Sequence, residues 1–282
     1  MGWKRRVHTA LDRPGGRFAL AIAGTAYATV RARRTCRVFQ NGAWVHQYPD
    51  QEASVDAWTY QYNPIPRDIV VDVGAGTGWD TLLFSRQVGA GGRVISIEAH
   101  PRTFSCLEGM CRRNGLENVI LLNCAVTASE SQVLISDSVA YHSNTIIGNK
   151  SGVPIQGRTL DDIVTTLHLP RVDLLKMNIE GAERVAIYGF TDAVQKTRHV
   201  CISCHDFLAD SRGGEDMRTK STVITFLERN GFDVATRESE TRSCIHDIVY
   251  GSNPALNGPH LSGREFRGHG ARPIDVQHSS IF

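Results

Sequence analysis

The chain has 282 residues, 41% of them hydrophobic and 21% charged, with a net charge of +2 at neutral pH. That length holds one full α/β core with an extension, or two small domains. The near-balanced charge gives no global field for nucleic acid, so no nucleic-acid partner is expected. Seven cysteines spread from Cys36 to Cys244 make no disulfide framework and suit a reducing compartment. A cytoplasmic protein is therefore expected. Cys201 and Cys204 lack a second pair at zinc spacing and sit in the apolar run HVCISC, which reads as a buried strand.

The first stretch is basic, with KRR at Lys4–Arg6 and RARR at Arg31–Arg34. Between them, Phe18–Val30 is apolar, with Phe18, Ile22 and Ala26 at helical spacing. It falls short of the about 20 apolar residues that span a bilayer. It reads as an amphipathic helix that packs on the core or rests on a membrane surface through its basic flanks. Arg6 stands where a myristoylation signal needs Ser or Thr.

From Ile69 onward, short apolar runs alternate with helical stretches. Ile69–Val73 reads as a buried strand, Trp79–Val88 as a helix and Arg93–Glu98 as the next strand. Pro101 opens a helix to Asn114, a residue suited to a first helical turn. Asn118–Val126 reads as a third strand and Ser131–Ser136 as a short extra one. Thr159–Leu167 looks helical with Thr159 as its cap; Val172–Ile179 and His199–Cys204 follow as strands. A helix over Ser221–Gly231 and two closing strands, the second at Ile245–Gly251, complete the pattern. Strands separated by helices of this length predict βαβ units and a doubly wound, mostly parallel seven-stranded sheet. The expected organisation is an N-terminal helical extension over 1–60, a core domain over 61–251 and a flexible tail over 252–282.

The chemistry concentrates in VVDVGAGTGWD, Val70–Asp80. A glycine-rich turn between a first strand and its helix is where a doubly wound fold accepts a nucleotide-like ligand. Glycine opens backbone angles closed to other residues and removes the Cβ that blocks approach, and the helix start adds unpaired N–H donors. The spacing then narrows the ligand. A dinucleotide fingerprint would put its third glycine at position 79, which is Trp79, and the Gly-Lys-Ser/Thr of a phosphate loop is absent. Asp72 puts a carboxylate at the strand's end, awkward for a pyrophosphate and useful for an ammonium group. Glu98 ends the second strand, where an acid accepts both hydroxyls of a ribose.

The run from Val70 to Pro101 resembles the first two motifs of class I methyltransferases that use S-adenosylmethionine. TLDDIV, VDLLKMNIEGAE and the distal CHDF together resemble the FkbM-type methyltransferases, from about Ile69 to Tyr250. The resemblance implies a Rossmann-like methyltransferase fold. It implies that Gly74, Ala75, Gly76, Thr77 and Gly78 line the donor's methionine and sugar, with Asp72 near its amino group. Glu98 and Ala99 would meet the ribose and Cys124 and Ala125 the adenine. Lys176–Glu183, with Asn178 among them, would lie beside the transferred methyl. The family's usual run is Lys-x-Asp-x-Glu-Gly-x-Glu. Asn178 stands where it has Asp, and Ser203 where a Glu often precedes the last motif's His by two.

Methyl transfer from a sulfonium needs the acceptor aligned and its proton removed. His205 and Glu180 are the candidate bases, and Lys176 is the group that orients a carboxylate or steadies the loop. Asp206 with Asn178 and Glu180 would make an oxygen-rich Mg²⁺ site, but the ligand set is incomplete, so no metal site is assigned. The expected activity is O-methylation of a sugar hydroxyl in a glycolipid or polysaccharide, or of a secondary metabolite. N-methylation, an NAD-dependent oxidoreductase and a non-catalytic binding protein on the same fold stay open. The expected partners are a small-molecule or glycan acceptor and, at the basic N-terminus, the inner face of a membrane. Acceptor choice is expected to rest on the first 60 residues, on 136–157 and on 207–220, none of which carries a readable motif.

Overall fold

Strand β1 (Ile69–Val73) is buried at every residue, as is β7 (Val172–Met177) beside it. Near-continuous apolar runs of this kind mark central parallel strands covered on both faces. The computed structural model describes residues 56–137, 144–148, 151–210 and 214–256, with the backbone of a hairpin pairing Val38–Gln40 with Ala43–Val45. The proposed helix at 18–30 and nearly all of the tail lie outside the described residues.

The other strands are β2 (Arg93–Ile97), β3 (Val119–Leu122), β4 (Ala125–Val126), β5 (Ser131–Ile135), β6 (Val153–Arg158), β8 (Thr197–Ser203), β9 (Asp233–Thr236) and β10 (Ile248–Ser252). Seven of them form one sheet in the order β9-β10-β8-β7-β1-β2-β3. Its core is parallel, and β10 runs antiparallel between β8 and β9. Helices α1 (Trp79–Val88), α2 (Pro101–Asn114), α3 (Leu160–Thr166) and α5 (Lys220–Arg229) cover the faces, with short turns α4 (Glu183–Ala186) and α6 (Ser243–His246) between strands. The chain winds outward through β1, β2 and β3, then returns to add β7 on the other side of β1. The crevice at the carboxyl ends of β1 and β7 is thus the switch point where such folds bind ligands.

Period-two alternation fixes what lies on each face. Val71 and Val73 join Leu175 and Met177 in one core layer, while Val70 and Leu174 join Phe84 and Val88 in the other. Asp72 and Lys176 share the parity of Val70 and Leu174, so they lie on the α1 side, and the β1–β7 register sets them opposite one another.

Three local expectations change. Asn118–Val126 is two strands, because the Asn123 amide donates to the carbonyls of Glu98 (2.8 Å) and Ala99 (3.0 Å) and draws the chain off the ladder. β4 then pairs with β6 in a separate three-stranded sheet, β4-β6-β5. β6 was not expected, since Pro154 and Gly157 interrupt its strand pattern. Ile245 and His246 belong to α6, and the last strand starts at Ile248.

Gly74 has φ +74°, and a Cβ there would stand 2.0 Å from the backbone oxygen of Asn178. Gly231 has φ +79° with open space around it. Gly74→Ala is expected to cost about 2–5 kcal/mol, backbone strain plus overpacking. Gly231→Ala is expected to cost only about 1–2 kcal/mol of backbone strain. Urea unfolding of both variants measures the difference.

Candidate active site

A cavity of about 370 Å³ opens at the switch point. Its floor is the turn Gly74–Thr77; Glu98 and Ala99 end β2 on one side, and Cys124 and Ala125 follow β3. Asn178 and Glu180, after β7, form the opposite wall. Lys176 reaches the cavity from below, and Asp80 and Trp58 complete that side.

The glycines serve packing as much as approach. Gly74 lets β1 end against the Asn178 carbonyl. Gly78 does not line the cavity: at φ +93° it caps α1, and a Cβ there would meet Met110 Cε at 2.2 Å and Leu107 Cδ1 at 2.6 Å. Its place as a ligand-lining residue is therefore corrected.

Asp72 also departs from expectation. It is fully buried and absent from the cavity wall. Lys176 Nζ sits 2.8 Å from its Oδ1, and the Thr81 hydroxyl donates to its Oδ2 at 2.8 Å. Fully buried and off the cavity wall, Asp72 is not placed to meet a ligand amino group. Lys176 also donates to the Gly74 carbonyl at 3.0 Å and meets Asp80 Oδ2 at 3.3 Å. Burial pulls the Lys176 ammonium toward neutrality, but Asp72 and Asp80 outweigh it and hold the pKa above its usual value. Lys176 therefore steadies the glycine turn as a fixed cation.

Glu98 is buried at the tip of β2. Its Oε2 accepts the Gly76 N–H at 2.9 Å and its Oε1 the His100 N–H at 2.8 Å. Burial lifts its pKa to about 7 against those two bonds. Each oxygen keeps a lone pair for a ligand hydroxyl. Across the cavity, Asn178 Oδ1 is buried without a hydrogen-bond partner. An orphaned acceptor of this kind is costly unless a donor arrives with a ligand.

His205, at the end of β8, is 2% exposed and does not line the cavity. Its Nε2 lies 3.3 Å from Glu180 Oε1 and its Nδ1 3.0 Å from Glu183 Oε1, the second contact acting through charge because it lies off the hydrogen-bond line. Burial alone would neutralise the ring, yet Glu183 and Glu180 push its pKa up to about 10. A ring protonated at neutral pH is no general base, which corrects the expectation for His205. Glu180 stays in the cavity wall, at φ +54°, and Glu183 holds the turn by accepting the Ile179 N–H at 3.0 Å.

Two wall residues escaped sequence reasoning. Asp80 was given no role, although its place two residues after Gly78, in the first turn of α1, was a usable signal. Trp58 comes from a helical turn at 56–58 with no motif around it. Among the described residues no group of three or more His, Cys, Asp or Glu is placed to hold a metal ion, and no helix is long and apolar enough to cross a membrane.

The fold and crevice define a Rossmann-like α/β protein with a small-molecule site at its switch point. The model of the methyltransferase FkbM domain matches residues 72–234. The chain belongs to the FkbM methyltransferase family. It is 25% identical over 179 residues to the hexuronic acid methyltransferase AglP of Haloferax volcanii, covering 61% of this chain and 72% of that protein. It is 33% identical over 82 residues to the AMB antimetabolite synthetase AmbE of Pseudomonas aeruginosa, 29% of this chain and 4% of AmbE. Among solved structures, a methyltransferase FkbM from Methylobacillus flagellatus KT is similar with a TM-score of 0.48 and 20% identity, over 69% of this chain and 45% of that one. Cofactor-bound Rv0187 from MTB is similar with a TM-score of 0.48 and 16% identity, over 86% and 97% of the two chains.

Lys176→Met strands the buried Asp72 charge and is expected to cost about 3–5 kcal/mol; adding Asp72→Asn should restore part of it, as read by denaturant unfolding. His205 carries a raised folded pKa, so its contribution is full below the unfolded value of about 6.5 and is lost as pH climbs through about 10. Stability should fall across that window in the wild type and fall less in His205→Gln, measured as urea midpoints at pH 6, 8 and 10.

Proposed function

We propose that the cavity takes S-adenosylmethionine and that the protein transfers its methyl group to a hydroxyl, foremost of a sugar in a glycan or glycolipid. The observation that carries this reading is Glu98, a buried carboxylate at the tip of β2 facing the Gly74–Thr77 turn. Its free lone pairs suit the two hydroxyls of a ribose. The small residues Ala99, Cys124 and Ala125 line the same cavity, and their short apolar side chains suit a base. Asn178 Oδ1 supplies an unspent acceptor farther along. These features fit the donor, which when bound supplies an electrophilic methyl on a sulfonium.

The protein's own part is placement and proton transfer. The Gly74–Thr77 backbone and Glu98 orient the nucleoside end. Glu180 accepts the proton of the acceptor hydroxyl, and His205, 3.3 Å from it, orients that carboxylate. Positioning of this kind supplies up to ~7–11 kcal/mol of a barrier, and a well-placed base ~10²–10⁴-fold in rate. The hexuronic acid methyltransferase relative supports a sugar hydroxyl as the acceptor.

Titration calorimetry with S-adenosylhomocysteine tests the donor: micromolar binding is expected, weakened at least about tenfold in Glu98→Ala, with no heat from NADH. Screening hydroxylated glycosides with labelled donor tests the acceptor. On any that turns over, Glu180→Gln should lower kcat by ~10²-fold or more while leaving S-adenosylhomocysteine affinity within about twofold.

A further inference from the structure

Lys176 has three ammonium protons, and three acceptors surround it: Asp72 at 2.8 Å, the Gly74 carbonyl at 3.0 Å and Asp80 at 3.3 Å. None is left for a ligand carboxylate. The two aspartates also outnumber the one ammonium, so ionising both leaves the cluster one negative charge in excess. Asp72 is sealed under the sheet. Asp80 is not: its side chain keeps 17% exposure and forms part of the cavity wall. The excess charge is therefore presented to the cavity by Asp80.

Trp58 closes the other side. It lies upstream of the family-matched residues 72–234, is 8% exposed, lines the same cavity as Asp80 and places its ring 5.1 Å from Lys176 Nζ. Excluding water there strengthens any ion pair made with Asp80. We propose that Asp80, walled by Trp58, is the seat of the ligand's ammonium group, so that the segment before the matched domain forms part of the donor site. This inference rests on the proposed donor, whose amino-acid end carries such a group. A second cation balances the two aspartates and relieves the cost of burying Asp80, which burial already pushes toward protonation.

The experiment is calorimetry on the full chain with three ligands. They are S-adenosylhomocysteine, its analogue with hydrogen in place of the amino group, and 5′-methylthioadenosine, which lacks the amino-acid end. Wild type is expected to bind the first at least tenfold more tightly than the other two. Asp80→Asn should erase most of that preference while leaving 5′-methylthioadenosine within about twofold; Trp58→Phe should reduce the preference less. Asp80→Asn leaves a balanced Asp72–Lys176 pair, and the deaminated analogue makes the same comparison on unmutated protein. Equal loss of all three ligands in Asp80→Asn, or no preference for the amino group in wild type, overturns the assignment. Wild type that binds none of the three overturns the donor itself, and this inference with it.

Discussion

The Lys176 ammonium, held between Asp72 and Asp80 beneath the Gly74 carbonyl, sets the geometry on which the crevice depends. It ties β7, the innermost strand of one half of the sheet, to the first strand and first helix of the other, at the point where the winding reverses. Its value is not chiefly stability. Two unit charges about 4 Å apart gain about 4 kcal/mol at an effective dielectric of 20, and taking each ion from water costs several kcal/mol. Those figures nearly cancel. What remains is position: a buried cation with every proton committed gives the glycine turn one conformation rather than several.

That constraint explains a second feature, the economy of side chains around the turn. Gly74 allows the Asn178 backbone to close over the end of β1, and Gly78 allows α2 to pack on the start of α1. The first contact brings the two sides of the switch point together, and the second packs the two helices of the outward-winding half. The cavity is thus bounded by backbone and small residues near the floor, and by polar groups on the two walls.

Much of this was legible before the structure. β1, α1 and α2 lie where the sequence reading put them, because each has an unambiguous period and a clear start or stop: Gly78 before α1, Pro101 opening α2, Gly115 closing it. Glu98 was legible because it ends a strand a fixed distance beyond the glycines. The roles of Asp72 and His205 were not. A carboxylate at a strand's end and a histidine after another have the same spelling whether they face a ligand or a buried counterion. Asp72 turned inward because strand parity and register set it opposite Lys176, a contact separated by 104 residues. His205 turned inward because Glu183, 3.0 Å from its Nδ1, is fully buried. Trp58 was invisible for a plainer reason, since a wall delivered from outside the repeating βα pattern carries no period.

The two inward turns are the same device used twice, at the ends of neighbouring strands β7 and β8. In each, one cation stands between two acids: Lys176 between Asp72 and Asp80, His205 between Glu180 and Glu183. In each, one acid is sealed in the core and the other lines the cavity. The sealed acid keeps its cation charged; the cation fixes the direction of the lining acid. Each cluster therefore places one acid at the cavity wall, Asp80 at the start of α1 and Glu180 after β7. A site built this way favours ligands that bring hydrogen-bond donors or positive charge to both places. An ammonium at one and a hydroxyl about to lose its proton at the other meet that requirement together.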